Sequence, residues 1–160
     1  MMQTAVSQHL DQLHAPHRLF THAGLVHSLA QAAAERGQRP EQVVRSLVFR
    51  LGADSFVMVL MAGPAQIPWK PLRRYLGQSR VTTASEEELL AVTGYEIGAV
   101  APFGLPQPMR VLLDASVLAE DEVSLGSGVR GTTVMMKTAV LLTALQQSAL
   151  SVEVVSFLEE

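Results

Sequence analysis

The 160-residue chain contains no cysteine. That absence removes disulfide staples, thiolate nucleophiles and cysteine-ligated zinc, so any chemistry must come from oxygen, nitrogen and backbone groups. Charge is sparse as well. Twelve basic against 15 acidic side chains leave a formal net charge of −3, which argues against broad coating of a phosphate backbone and leaves room for a local basic patch only. No apolar stretch approaches the roughly 20 residues needed to span a bilayer, and Met1 to Leu10 lacks the basic-then-apolar order of a signal peptide. The expectation is a soluble, cytoplasmic protein with no membrane partner. What is abundant is apolar residue content, 48%, enough to bury one substantial core, and a single domain over residues 1–160 is expected.

Helical spacing of Ala5, Val6, Leu10 and Leu13 predicts a first helix that stops at Ala15-Pro16, followed by a short strand at Arg18 to Thr21. Ser28 to Arg36 reads as a second helix ending at Gly37. Val43 to Leu51 and Phe56 to Ala62, split by Gly52-Ala53-Asp54, read as a hairpin too apolar to belong to an exposed sheet. Pro68 opens a helix that closes at Gly77, Arg80 to Thr82 is a short strand, and Ser85 with Glu88 forms a capping box on a helix ending at Gly94. Gly98 to Pro108 holds Pro102, Gly104, Pro106 and Pro108, a density of constraint that makes a rigid loop. Strands follow at Arg110 to Leu113, Val123 to Leu125 and Thr132 to Met136, the last two paired across Gly126-Ser127-Gly128. A helix at Thr138 to Gln147 and a closing strand within Ser151 to Glu160 complete the chain. Because at least two connections are hairpins, α+β with a mixed sheet is favoured over a purely parallel one.

Thr93-Gly94-Tyr95 followed by Gly98-Ala99-Val100-Ala101-Pro102-Phe103-Gly104 resembles the signature loop of the YbaK and prolyl-tRNA synthetase-associated editing family, including its GxxxP core. Three further blocks agree in order: Pro40-Glu41-Gln42-Val43 leading into Arg45-Ser46-Leu47, Leu113-Asp114-Ala115, and Gly128 with Arg130-Gly131. The resemblance spans about His17 to Leu145. It implies an α+β domain with a mixed, partly barrel-like sheet surrounded by helices, a pocket for an amino acid, and hydrolysis of an aminoacyl ester. The implied substrate is the acceptor end of a mischarged tRNA, edited in trans, with an aminoacyl-tRNA synthetase as a second candidate partner and no cofactor.

The residues themselves add a physical reason. A glycine at position 98 lets backbone N–H groups approach an ester carbonyl, while Pro102 fixes the loop against collapse. The catalytic candidates implied by the resemblance are Arg45, Gly98 and Ala99. Candidates for the substrate pocket are His22, Ser46, Val100, Ala101, Pro102, Phe103, Ser127, Gly128 and Arg130, where Ser127 and the glycines resemble a pocket edge that leaves room for an amino acid. Arg45 stands where the family usually carries lysine. Arginine stays protonated, so it can hold a phosphate or carbonyl oxygen through its planar fork but cannot act as a general base. The alternative is a non-catalytic homologue that binds tRNA ends or a synthetase with a decayed site. Lys70, Arg73 and Arg74 share one helical face and are candidates for acceptor-stem phosphates, or an ordinary solvated face. All five histidines lie in the first 27 residues, but no HExxH spacing or carboxylate cluster accompanies them, and no metal site is expected.

Overall fold

The computed structural model describes residues 3–158. Helices α1 (Ala5–Gln12), α2 (Leu29–Glu35), α3 (Trp69–Leu76), α4 (Glu86–Thr93) and α5 (Thr138–Ser148) alternate with eight strands in two sheets. The strands are β1 (Arg18–Thr21), β2 (Val44–Leu51), β3 (Ser55–Ala62), β4 (Val81–Thr83), β5 (Arg110–Asp114), β6 (Glu122–Gly126), β7 (Thr132–Lys137) and β8 (Ser151–Val155). One sheet has the order β4-β2-β3-β5-β8 and the other β1-β7-β6. The larger sheet is mixed: β2 runs antiparallel to β3 and β4, while β3–β5 and β5–β8 are parallel. The sheets meet at one isolated parallel bridge, Val43–Ser124, and stay open elsewhere, so barrel-like character is confined to that contact.

The continuous apolar run of β3 has its reason in burial on both faces. Alternation sends Val57, Val59 and Met61 into one cluster with Leu72 and Phe157, and Met58, Leu60 and Ala62 into a second, larger cluster. That larger core also takes Val6 and Leu10 of α1, Leu125 and Val134 of the small sheet, and Leu141 and Leu145 of α5. The five-stranded sheet is therefore a central layer between α3 on one side and the small sheet with α1 and α5 on the other.

Local chemistry sets the element ends. Ser85 Oγ accepts the Glu88 N–H at 3.1 Å while Glu88 Oε1 accepts the Ser85 N–H at 2.9 Å, the capping box read from the sequence. Gly77 and Gly94 end α3 and α4 in the left-handed conformation. Several boundaries shift by a residue or more from expectation, and three of the shifts bear on how the strands connect and end. The short strand is Val81–Thr83, leaving Arg80 outside it, although the Arg80 carbonyl still accepts the Gly52 N–H at 2.9 Å. Gly126 belongs to β6, so the β6–β7 connection is residues 127–131. The closing strand stops at Val155, and the last two residues assigned to it from sequence lie outside the described residues.

Candidate active site

The short β4 leaves a gap in the sheet. It pairs only with Phe49, Arg50 and Leu51 of β2, and a last bond runs from the Ala84 N–H to the Val48 carbonyl at 3.0 Å. From Val44 to Leu47 the outer edge of β2 has no partner strand among the described residues, and a cleft of about 910 Å³ opens over it. One end is walled by β2, Ile67 and Trp69, the other by the small sheet, the segment 22–26 and Arg36.

Arg45 and Ser46 both line this cleft. Strand alternation places them on opposite faces, Arg45 in register with Met61 and Ser46 with Leu60, and the open edge lets both reach the same space. The Arg45 guanidinium donates to the Ala65 carbonyl. Its Nε is buried with no partner among the described residues, and burial lowers its pKa from the ordinary arginine value. The Ser46 hydroxyl is likewise buried without a partner among the described residues. Such an orphan costs free energy unless something in the cleft satisfies it.

The signature loop alternates. Gly98 and Val100 line the cleft, whereas Ala99, Ala101, Pro102 and Phe103 are buried behind it and are not lining residues. Gly98 has φ +87°, a conformation side-chain-bearing residues rarely adopt. The loop is fixed at three points. The Gly128 N–H donates to the Ala99 carbonyl at 2.9 Å, and the Tyr95 hydroxyl donates to the Phe103 carbonyl at 2.5 Å. The third point is Gly126, where any Cβ would come within 2.2 Å of the Val100 oxygen. Burial pushes the Tyr95 phenol up to about 12, which keeps this donor protonated. Among the described residues, neither the Gly98 N–H nor the Val100 N–H finds an acceptor.

Residues 127–131 serve the loop more than the cleft. Ser127 is fully buried; its hydroxyl donates to the Thr132 carbonyl at 2.7 Å and accepts the Val129 N–H at 3.1 Å. The space that Gly128 leaves is filled by the Tyr95 ring, whose Cε1 would lie 2.9 Å from an added Cβ. Neither residue lines the cleft, so the room expected there for an amino acid is taken up by packing. Arg130 does line it, donating from Nε to the Ile97 carbonyl at 2.9 Å. Lys70, Arg73 and Arg74 are exposed on α3 beyond the cleft, with the Arg73 guanidinium 5.2 Å above the Trp69 ring.

The most connected side chain in the cleft is Arg36, which sequence reasoning missed. Its Nη2 donates to Ser124 Oγ at 2.9 Å, its Nη1 to His22 Nε2 at 3.0 Å, and its Nε to Gln38 Oε1 at 3.2 Å. His22 Nδ1 lies 2.7 Å from Glu35 Oε1, so the partners assign the ring proton to Nδ1 and leave Nε2 to accept from Arg36. The bond from His22, and then that from Gln31, holds the Glu35 carboxyl below its usual pKa. All the direct hydrogen-bond acceptors of Arg36 are neutral. Burial lowers the pKa of this guanidinium, and the nearby Glu35 carboxylate opposes that shift without touching it directly.

The family model described as the aminoacyl-tRNA editing domain matches residues 23–144. The chain belongs to this family. A multifunctional Ser/Thr-tRNA deacylase, ProXp-y of Escherichia coli K12, is 28% identical over 81% of this chain and 80% of its own length. The proline–tRNA ligase of Kosmotoga olearia is 35% identical over 49% of the chain, and the match spans only 13% of that ligase. A crystal structure of a candidate trans-editing enzyme for prolyl tRNA synthetase superposes with a TM-score of 0.84 at 25% identity, covering 98% of this chain and 96% of that one.

Within this editing domain, the cleft gathers His22, Arg45, Ser46, Gly98, Val100 and Arg130 from the residues singled out in the sequence, and adds Arg36, Ser124 and Trp69. Arg36 reads in sequence as the cationic end of a helix beside Gly37. Its contact with Ser124 crosses 88 residues, and nothing local signals it. Two of the other histidines are engaged elsewhere: His9 Nε2 meets Ser148 Oγ at 2.9 Å and His17 Nδ1 meets the Ala15 carbonyl at 2.9 Å. Among the described residues no three His, Cys, Asp or Glu side chains gather as a metal ion requires, and no helix is long and apolar enough to cross a membrane.

Proposed function

We propose that this editing domain is a freestanding aminoacyl-tRNA deacylase that hydrolyses mischarged tRNA in trans. The observation that carries this reading is the meeting, in one cleft, of the Gly98–Val100 backbone with the cations Arg36 and Arg45 and the orphan Ser46 hydroxyl. The unpaired N–H groups of Gly98 and Val100 supply donors for an ester oxygen whose charge grows as water adds to the carbonyl carbon. The carbon–oxygen bond to the ribose then breaks, the ribose oxygen takes a proton, and the free amino acid leaves. No protein nucleophile is needed: ordered water and the substrate's own ribose hydroxyl suffice, and the protein positions the reacting groups. Arg45 holds the nucleotide side of the ester and does not exchange protons. His22, Arg36 and Ser124 form the end that receives the amino acid, and Lys70, Arg73 and Arg74 face the acceptor stem. The partial match to a proline–tRNA ligase favours prolyl-tRNA synthetase as the enzyme whose errors are corrected.

Arg45 also supports the rival reading, because its guanidinium already has the Ala65 carbonyl and could be a strand-end cation alone. Deacylation of a panel of mischarged tRNAs by wild type, Arg45→Lys and Arg45→Ala separates the two. The enzyme reading expects Arg45→Lys to retain or gain activity and Arg45→Ala to lose about 10²-fold in kcat/KM. If none of the three proteins hydrolyses any mischarged tRNA yet all bind it alike, the domain is a non-catalytic binder.

A further inference from the structure

We propose that Trp69 and Arg73 form the seat of the terminal nucleobase at the single-stranded 3′ end of the RNA, a role that rests on the deacylase reading for its direction along the cleft. Trp69 is the only tryptophan of the chain, and it is 40% exposed at the cleft wall while Leu72, one turn on, is fully buried and ties α3 to the core. A large aromatic left in water at a cleft mouth marks a binding surface. The ring is held in place before any ligand arrives. Phe49 meets it edge to face at 5.4 Å, and the Arg73 guanidinium, four residues along the helix, lies 5.2 Å from its centroid. Stacking of a base on this pair therefore orders little that is not already ordered.

Charge points the same way. Arg18, Arg39, Arg50, Arg110 and Arg130 are each paired with a carboxylate. Among the described residues Lys70, Arg73 and Arg74 have no acidic partner within 4.0 Å. Arg36, Arg45, Arg80 and Lys137 also lack a carboxylate partner among the described residues, but only on α3 do three such cations lie within five positions of one another. In a chain of net charge −3, this uncompensated patch beside an exposed aromatic has the makeup of a site for unpaired nucleotides: stacking for the base and cations for the phosphates. A base inside a duplex offers no free face, so the fit is to a single-stranded end. The arrangement orients the substrate, with the nucleotide at Trp69 and the aminoacyl group toward Arg36.

Because Trp69 is the sole tryptophan, fluorescence of the full chain excited at the red edge, where the two tyrosines absorb little, reports on this site alone. Titration with the trinucleotide CCA should quench it saturably, and the same trinucleotide with an abasic 3′ residue should bind about 10- to 100-fold more weakly. Trp69→Ala should raise KM for mischarged tRNA by a similar factor with kcat nearly unchanged, the pattern of lost uniform binding, while Trp69→Phe retains most of the affinity. Circular dichroism checks that both variants fold, and if Trp69→Ala does not, wild-type quenching and Arg73→Ala, expected to weaken CCA several-fold, decide alone. Equal quenching by the abasic trinucleotide, or a folded Trp69→Ala with unchanged KM, overturns the proposal. So does loss of synthetase binding in Trp69→Ala with KM for mischarged tRNA unchanged, which makes the surface a protein dock. Base-dependent quenching without hydrolysis of any mischarged tRNA keeps the nucleobase seat and removes the deacylase reading; hydrolysis indifferent to Trp69 does the reverse.

Discussion

Gly126→Ala isolates the contact that sets the loop against the small sheet. The added Cβ would lie 2.2 Å from the Val100 oxygen, 2.9 Å from the Val100 carbonyl carbon and 3.0 Å from the Ala99 oxygen. Carbon and oxygen tolerate about 3.3 Å, so loop and strand must separate by about 1 Å. Every obstructing atom is backbone, and no rotamer change relieves the clash. The loop cannot slide freely either, being tied by the Gly128 N–H and the Tyr95 hydroxyl. The overpacking should cost roughly 1–3 kcal/mol in urea unfolding. The displaced Gly98 and Val100 N–H groups should cost more in function, since a misplacement of about 1 Å lowers turnover on the order of 10²-fold. The assay is kcat/KM for deacylation beside the unfolding midpoint. Gly24→Ala, which meets nothing within 4 Å and needs no unusual backbone angle, is the control and should unfold within about 0.5 kcal/mol of wild type. A Gly126→Ala protein that loses stability but keeps wild-type kcat/KM refutes the assignment of the loop's backbone to catalysis.

Two further outcomes follow from the same geometry. Tyr95→Phe removes the donor to the Phe103 carbonyl and should cost about 1–3 kcal/mol; because burial raises the phenol above its unfolded value near 10, this contribution is complete below that pH and is lost as pH rises through about 12. Urea melts of wild type and mutant should therefore differ by a constant amount from pH 6 to about 9 and converge toward pH 12, and a gap that changes between 6 and 9 contradicts the assignment. Arg36→Met should leave stability within about 1 kcal/mol, because relief from burying a guanidinium offsets its lost hydrogen bonds, while kcat/KM falls on the order of 10²-fold. A large stability loss with unchanged kcat/KM would make Arg36 a structural residue.

Periodicity and caps made most of the architecture legible, because their causes are local. The capping box at Ser85, the left-handed ends at Gly77 and Gly94 and the apolar hairpin of β2 and β3 each rest on residues within one or two turns of chain. The Gly126 boundary escaped for a non-local reason: the glycine is required by the approach of Val100, 26 positions earlier in the numbering, and not by a turn. The site divides in the same way. The loop was visible because Gly98 and Pro102 leave a pattern in sequence, yet the pattern did not reveal which residues turn outward. Ser127 and Gly128 looked like pocket edges for being small, whereas their size accommodates Tyr95 and a hydrogen-bonded turn. Asp114, part of a matched block, is likewise occupied in structure, accepting the Ser116 N–H at 2.9 Å and the Phe157 N–H at 3.0 Å.

The size of the cleft constrains where selectivity arises. At about 910 Å³ it is far larger than any single amino-acid side chain and lies in the range that takes a whole drug-sized ligand, so total volume cannot act as the sieve. A methylene contributes only about 1–3 kcal/mol of discrimination even in a close-fitting pocket, and nothing in an open one. Choice among amino acids must then be made where fixed groups crowd the aminoacyl group. The Arg36 end qualifies: Ser124 is fully buried, the His22 ring is locked between Glu35 and Arg36, and the guanidinium is held by the side chains of His22, Gln38 and Ser124 at once. A preorganised polar wall discriminates by the hydrogen bonds it leaves unmade, which cost more than a missing methylene contributes. Substitutions at Ser124, and at Thr133, which lines the same end with its Oγ1 3.5 Å from Arg36 Nη1, should consequently change which mischarged tRNA is preferred, whereas changes at Trp69 and α3 should weaken all tRNAs together.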